Sequence, residues 1–200
     1  MAMYIRRMVR IAAATIIIGA LSAIIVNAPW FRRMAYPIHY QGPIAAYARA
    51  NQVDPFLIAA IIKVESRYNA KATSHRGARG LMQIMPQTGE WAAGRLGLTG
   101  YTADALFDPD TNIAIGSWYV SQLLKQADGN LTTALAAYNG GPTHVERWIS
   151  DGIWSGEAHD AESIPFPETA RYVTKVMKAH QAYIKAYGGR WPGDVANLGS

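Results

Sequence analysis

Between residues 44 and 187 the sequence consists of helical segments separated by Gly and Pro, and no stretch alternates apolar and polar residues long enough to predict a large sheet. Asp54 followed by Pro55 predicts a capped helix start. Thr143 and Glu146 have the spacing of a capping box at a later helix start. The domain is therefore predicted to be all-α. The predicted helices cover 43–51, 54–65, 87–96, 110–127, 131–139, a segment from 143, and 168–187.

The composition fits one compact domain with some additional chain. Half of the 200 residues are hydrophobic, which is enough for a single core. The chain has no Cys, so disulfides, a cysteine nucleophile and thiolate metal sites are excluded. We expect no metal and no cofactor.

The positive charge is concentrated at the N-terminus. The chain has a formal charge of +5, but five of its 19 basic residues precede position 34 and its first acidic residue is Asp54. The remaining 14 basic residues equal the 14 acidic ones in number. A body without net charge argues against nucleic acid as a partner. The five basic residues are Arg6, Arg7, Arg10, Arg32 and Arg33.

These arginines flank an apolar segment. Ile11–Phe31 is 21 residues without a charge, which as a helix is about the thickness of a bilayer core. We predict a single membrane anchor in residues 1–33, with the body outside the cytoplasm, because more arginines precede the segment than follow it. A cleaved signal peptide, cut after Ala28, is the alternative. Residues 34–43 are predicted to be a linker and 188–200 a tail.

Glu65 is a carboxylate in apolar sequence. It follows the run Phe56–Val64, in which only Lys63 is polar. On a helix it shares its face with Ile61, Ile62 and other apolar residues, without a cation. Such a carboxyl has a raised pKa and can act as a general acid. A buried Glu satisfied by a distant partner, or a helix that ends in water at this point, explains the pattern equally well.

Three further stretches offer polar groups at turns. Gln83 follows two glycines in the stretch 77–86, Tyr138 and Asn139 precede a Gly-Gly-Pro helix end, and Glu168 and Tyr172 lie at the start of the last helix. Taken singly, each has a structural explanation. The stretch around Gln83 can be a loop that packs into the core. Asn139 before Gly-Gly can simply end a helix. Glu168 can serve only to interact with the helix dipole.

Together the stretches resemble a known family. Glu65-Ser66, then Gly80-Leu-Met-Gln83, then Ala137-Tyr-Asn139, then Pro167-Glu-Thr with Tyr172, are similar in order and type to the motifs of the soluble-lytic-transglycosylase (SLT) domain, in the lysozyme-like superfamily. The resemblance covers residues 44–187. It implies a lysozyme-like helical fold and an enzyme that acts on peptidoglycan glycan strands. Together with the predicted anchor in residues 1–33, this gives a single-pass protein of the bacterial inner membrane with its catalytic domain on the periplasmic side.

The resemblance also implies the chemistry. Glu65 is expected to protonate the β-1,4 oxygen between N-acetylmuramic acid and N-acetylglucosamine, and then to act as a base, which leaves a 1,6-anhydro sugar. Ser66 is expected to help to fix the local geometry. The full set of substrate-binding residues implied is Ser66, Met82, Gln83, Tyr138, Asn139, Glu168 and Tyr172.

Two alternatives remain open on sequence grounds. A hydrolytic, goose-lysozyme-like muramidase generally needs a second carboxylate. Between residues 70 and 101 the only acid is Glu90, although Asp104, Asp108 and Asp110 remain candidates. A catalytically idle glycan-binding scaffold is the second alternative.

The acidic segment 151–163 matches no standard metal site.

Overall fold

The computed structural model describes residues 1–193, apart from the side chains of residues 2, 23 and 25–27. Part of the predicted tail, 194–200, lies outside the described residues. Two short 3₁₀ helices, Ala103–Phe107 and Ala158–Ser163, connect longer helices. The α-helices are α1 (Ala2–Asn27), α2 (Pro29–Ala35), α3 (Gln41–Ala50), α4 (Pro55–Glu65), α5 (Pro86–Leu96), α6 (Pro109–Gln126), α7 (Leu131–Gly140), α8 (Pro142–Ser150) and α9 (Pro167–Tyr187).

The all-α prediction is confirmed for the described residues. Extended pairing there is limited to two isolated bridges, which join Arg79 to Thr73 and to Ile84. α4 begins as predicted, since the Asp54 carboxylate accepts a hydrogen bond of 2.8 Å from the Phe56 N–H. The capping box is wrong. α8 already begins at Pro142, so Thr143 lies inside it, and no side chain caps its start.

α4 is the central helix of the core. Every residue from Phe56 to Ile62 is buried, and α4 packs most extensively against α9, the long C-terminal helix. α9 places Val173, Val176 and Tyr183 in the same core, each with no exposed surface. A helix buried on all sides needs neighbours on all sides. α4 therefore has little freedom to move, and the residue at its end is held rigidly.

The segment 34–43, predicted to be a linker, packs on the body. Ile38 is buried with 6% of its surface exposed. The Tyr187 hydroxyl donates to the Tyr36 carbonyl at 3.1 Å, and the Tyr183 hydroxyl donates to the Pro37 carbonyl at 3.2 Å. These contacts attach the segment to α9.

No helix built from the described residues is both long and apolar enough to cross a membrane.

Candidate active site

Glu65 is the last residue of α4, at the point where the chain leaves the helix. Ser66 caps the end, with its N–H and its hydroxyl both donating to the Ile62 carbonyl at 3.0 and 3.2 Å. Arg67 and Tyr68 follow with positive φ angles of 53° and 67°, so the chain turns sharply away. Ser66 therefore stabilises the helix end that positions Glu65.

The Glu65 carboxyl is held in an environment that favours its protonated form. Removal from water raises its pKa most, a contact from the Tyr172 hydroxyl lowers it, and the charge of Glu168 raises it, so the pKa moves from 4.5 to about 7. The C-terminal end of a helix also disfavours negative charge. Within the described residues no cation is among the groups that act on Glu65. The pKa rise predicted from the sequence is confirmed.

Two tyrosines form the wall beside Glu65. The rings of Tyr138 and Tyr172 are parallel to within 3°, with centroids 6.3 Å apart. Burial, and then the charge of Glu65, raises the pKa of both phenols well above the usual value. Both therefore remain protonated donors.

The two hydroxyls are used differently. Tyr138 donates to the Met82 carbonyl at 2.7 Å. The Tyr172 hydroxyl lies beside Glu65 but is buried without a well-formed hydrogen bond to any described residue. A hydroxyl in this position can donate to Glu65 after a small adjustment, as hydrogen bonds in catalytic sites often tighten when substrate binds.

Met82, one of the residues expected to bind substrate, is buried. Its side chain has no exposed surface and packs against Gly116 of α6, so it does not line a groove. What Met82 contributes is its backbone, because its carbonyl accepts from Tyr138. Gln83, half-buried with φ of 49°, donates through its amide nitrogen to the Gly80 and Ala72 carbonyls at 2.9 and 3.2 Å. Among the described residues, no donor is bonded to its amide oxygen.

Sequence reasoning missed Asn112, which holds this turn. Asn112 is fully buried in α6. Its oxygen accepts from the Met82 N–H at 2.8 Å, and its nitrogen donates to the carbonyls of Arg79 and Leu106 at 3.0 and 2.8 Å. A polar residue in the apolar pattern of α6 was the available signal, since buried amides must be paired.

The remaining predicted residues lie at the end of α7 and the start of α9. Asn139, at the end of α7, accepts a hydrogen bond of 2.8 Å from the Thr169 hydroxyl, which connects α7 to α9. Glu168, in the first turn of α9, is exposed and lies 3.8 Å from Arg76. It acts on Glu65 electrostatically. α7 and α9 thus bring Tyr138, Tyr172 and Glu168 near the Glu65 carboxyl, and the Met82 turn joins them through the hydrogen bond from Tyr138.

Among the described residues, no group of three or more His, Cys, Asp or Glu side chains is placed to hold a metal ion. The acidic segment 151–163 instead closes on itself. The Asp160 carboxylate accepts from the Ser155 N–H at 3.1 Å and from the Ser155 hydroxyl at 2.7 Å.

Comparison with known proteins identifies relatives over most of the body. The family described as transglycosylase SLT domain matches residues 42–160. The soluble lytic murein transglycosylase of Escherichia coli (strain K12) is 36% identical over 159 residues, which are 78% of this chain and 24% of that protein. The membrane-bound lytic murein transglycosylase C of Salmonella arizonae is 30% identical over 165 residues, 72% of this chain and 46% of that protein.

Solved structures agree. The 70 kDa soluble lytic transglycosylase from Escherichia coli aligns with a TM-score of 0.74 and 34% identity, over 81% of this chain and 26% of that one. An inactive Glu-to-Gln mutant of lytic transglycosylase Slt from Pseudomonas aeruginosa aligns with a TM-score of 0.71 and 31% identity, over 80% and 26%. The chain spans less than half the length of these relatives. By its sequence and its lysozyme-like helical fold, the chain belongs to the transglycosylase SLT domain family.

Proposed function

We propose that this chain is a peptidoglycan lytic transglycosylase, which cleaves the β-1,4 bond between N-acetylmuramic acid and N-acetylglucosamine and leaves 1,6-anhydromuramyl ends. The observation that carries the proposal is the Glu65 carboxyl, whose pKa is raised to about 7 beside Tyr138 and Tyr172. The names of the relatives, which are lytic murein transglycosylases, support it. So does the inactive Glu-to-Gln mutant of Slt from Pseudomonas aeruginosa.

Glu65 acts first as a general acid. Near neutral pH a substantial fraction of the carboxyl is protonated, and this proton goes to the glycosidic oxygen as the bond from that oxygen to C1 of the muramic sugar breaks. The leaving sugar departs with a neutral 4-hydroxyl. Glu65 is then ionised, and the Tyr172 hydroxyl stabilises the new charge.

The same carboxylate then acts as a base. It accepts the proton of the muramic 6-hydroxyl while that oxygen bonds to C1, which closes the 1,6-anhydro ring and returns Glu65 to its protonated form. One carboxyl is sufficient, because the nucleophile is the 6-hydroxyl of the substrate itself. No water is consumed.

The other site residues would bind and orient the strand. The Gln83 amide oxygen and the exposed Glu168 carboxylate are suited to sugar hydroxyls, while Asn139 and Tyr138 position the α7 end of the site. Ser66 supports Glu65 through the helix end. The backbone of Met82 orients Tyr138.

Glu168 makes a hydrolytic muramidase the second candidate. It is the one other carboxylate, among the described residues, that acts on the pKa of Glu65. Hydrolysis requires a carboxylate that activates water on the far side of the sugar ring. Glu168 is highly exposed and lies near Arg76, which suits a substrate-binding role better than that of a base in a shielded site.

Mass analysis of muropeptides tests both candidates. Purified peptidoglycan is digested with the full chain in detergent, beside Glu65→Gln and Glu168→Gln. Anhydromuramyl ends from the wild type, abolished in Glu65→Gln and retained in Glu168→Gln, are expected. Reducing ends heavier by one water, lost in both variants, would establish a hydrolase instead. Release from none of the three proteins would favour a glycan-binding scaffold.

We also propose that residues 1–33 anchor the chain in the bacterial inner membrane, with the body from 44 to 187 on the periplasmic side. The uncharged stretch Ile11–Phe31 and the arginines on both sides of it support this. One of the relatives is named membrane-bound.

Cell fractionation tests the anchor. The full chain should sediment with membranes and resist extraction by alkaline carbonate, whereas a version that lacks residues 1–33 behind a cleavable export signal should be soluble in the periplasm. Recovery of the full chain from the periplasm, shortened at its N-terminus, would establish the signal peptide instead.

A further inference from the structure

An exposed tryptophan extends the aromatic wall of the site. Trp91 lies on α5 with 46% of its surface exposed, although a large apolar ring in solvent contributes little to folding. Its ring centroid lies 4.9 Å from that of Trp118 and 6.2 Å from that of Tyr119, both half-buried on α6. The two α6 rings pack against the indole, part of which faces solvent. We call these three residues the Trp91 platform.

The Trp91 platform is continuous with the residues around Glu65. Tyr119 lies 5.6 Å from Tyr138, which in turn stacks on Tyr172 at 6.3 Å. Three successive ring contacts therefore lead from Trp91 to the phenol beside the catalytic carboxyl. A ligand that extends along this path from Glu65 reaches the platform within a few sugar units.

We propose that the Trp91 platform is a glycan subsite, at which the indole stacks on a pyranose ring of the strand whose scissile bond lies at Glu65. The inference rests on the proposed function and deepens it. A β-1,4-linked N-acetylglucosamine ring presents axial C–H groups on its faces, and aromatic faces carry the partial negative charge that attracts them.

The charge at the platform fits a neutral sugar. Glu90, one residue before Trp91, and Arg95, one helical turn after it, are both exposed and of opposite charge. These two charges offset each other, so they do not give this surface the excess of positive charge that attracts nucleic acid or anionic lipid. The sugar ring is the partner whose chemistry matches a supported, exposed indole in continuity with the site.

Calorimetric titration tests the subsite without turnover. The full chain carrying Glu65→Gln is titrated in detergent with β-1,4-linked N-acetylglucosamine dimer and hexamer. Adding Trp91→Ala should weaken hexamer binding about three- to tenfold and leave dimer binding unchanged. Adding Trp91→Phe should restore most of the loss. Adding Trp30→Ala, which removes another exposed tryptophan (57% exposed) from α2, should change neither.

The outcomes separate this inference from the proposed function. Hexamer binding that is unaffected by Trp91→Ala, or equal losses for dimer and hexamer, would overturn the subsite. If the wild type releases no muropeptides but hexamer binding depends on Trp91, the transglycosylase proposal fails and the subsite stands as part of a binding surface. If the wild type is active and Trp91 has no effect, the reverse holds.

Discussion

Glu65 combines two properties that are difficult to combine in one residue. In the proposed reaction it must hold a proton near neutral pH and must then carry a charge for the lifetime of an intermediate. Desolvation serves the first need and raises the pKa to about 7, and the Tyr172 hydroxyl, which lowers it, serves the second. The charge of Glu168 acts in the same direction as desolvation. Two neighbours therefore tune one carboxyl in opposite directions.

We expect the pH profile of lytic activity to report this opposition. At low substrate, the wild-type rate should fall as pH rises through about 7, because the general acid is lost. Tyr172→Phe removes the group that lowers the pKa, so its basic limb should move to higher pH. Glu168→Gln removes the charge that raises it, so its limb should move to lower pH. Initial rates of peptidoglycan clearing measure both limbs, and shifts of the same sign would refute the assignment.

Glu65 should also reduce stability at alkaline pH. Because its folded pKa is raised from 4.5 to about 7, its contribution to stability is intact below the lower value and is lost as pH rises through the upper one. Glu65→Gln does not ionise, so above pH 7 it should unfold at a higher denaturant concentration than the wild type. Its free energy of unfolding should exceed that of the wild type by at most about 3 kcal/mol. Below pH 4 the two should coincide.

Guanidinium unfolding curves of the wild type and Glu65→Gln, recorded at pH 8 and below pH 4, provide the measurement. Glu168→Gln serves as a control, because the exposed Glu168 carboxylate is well solvated and should have little effect on stability. A wild type as stable as Glu65→Gln at pH 8 would mean that Glu65 is not desolvated.

At the scale of elements, α6 holds the turn that carries Gln83. Asn112 accepts one hydrogen bond from this turn and donates two to the carbonyls of Arg79 and Leu106. Asn112→Asp keeps the shape but turns two attractive contacts into repulsion between oxygens. We expect a loss of about 3 kcal/mol of unfolding free energy and, because the turn also orients Tyr138, a loss of activity.

Thermal melts of Asn112→Asp and Asn69→Asp form a matched pair. The exposed Asn69 uses only its oxygen, which accepts from the Lys71 N–H at 3.0 Å, so an Asp there keeps the contact. Comparable melting temperatures for the two variants would mean that the Asn112 amide donors do not hold the turn.

Local signals made some elements predictable. The start of α4 follows from Asp54 and Pro55, and α5 and α6 begin within one residue of prediction. Periodicity along α4 placed Glu65 among apolar residues. The role of Asn112 was not predictable, because it depends on contacts with residues about thirty positions away. The buried Met82 side chain depends likewise on a glycine of α6. Sequence patterns along one segment do not contain such pairings.

At the scale of the whole molecule, α2 and the segment that follows it pack on the body. Arg33 of α2 donates to the Ala186 carbonyl at 3.3 Å and lies over the Tyr187 ring, and Lys63 lies over the Tyr36 ring. With residues 1–33 in a membrane, this attachment would hold the catalytic body close to the bilayer. The proposed transglycosylase would then act on the wall nearest to the membrane.

Truncation tests this attachment. A chain that lacks residues 1–28 keeps α2 and the segment 36–38, whereas a chain that lacks residues 1–40 loses both. The shorter chain loses the burial of Ile38 and leaves the Tyr183 and Tyr187 hydroxyls without their carbonyl partners. We expect it to melt about 5 to 10 °C lower. Tyr183→Phe in the longer chain should reproduce only a small part of the loss, because Ile38 stays buried. Equal melting temperatures for the two truncations would mean that the segment only links the helices, and the body would then be free to move away from the membrane as far as the linker allows.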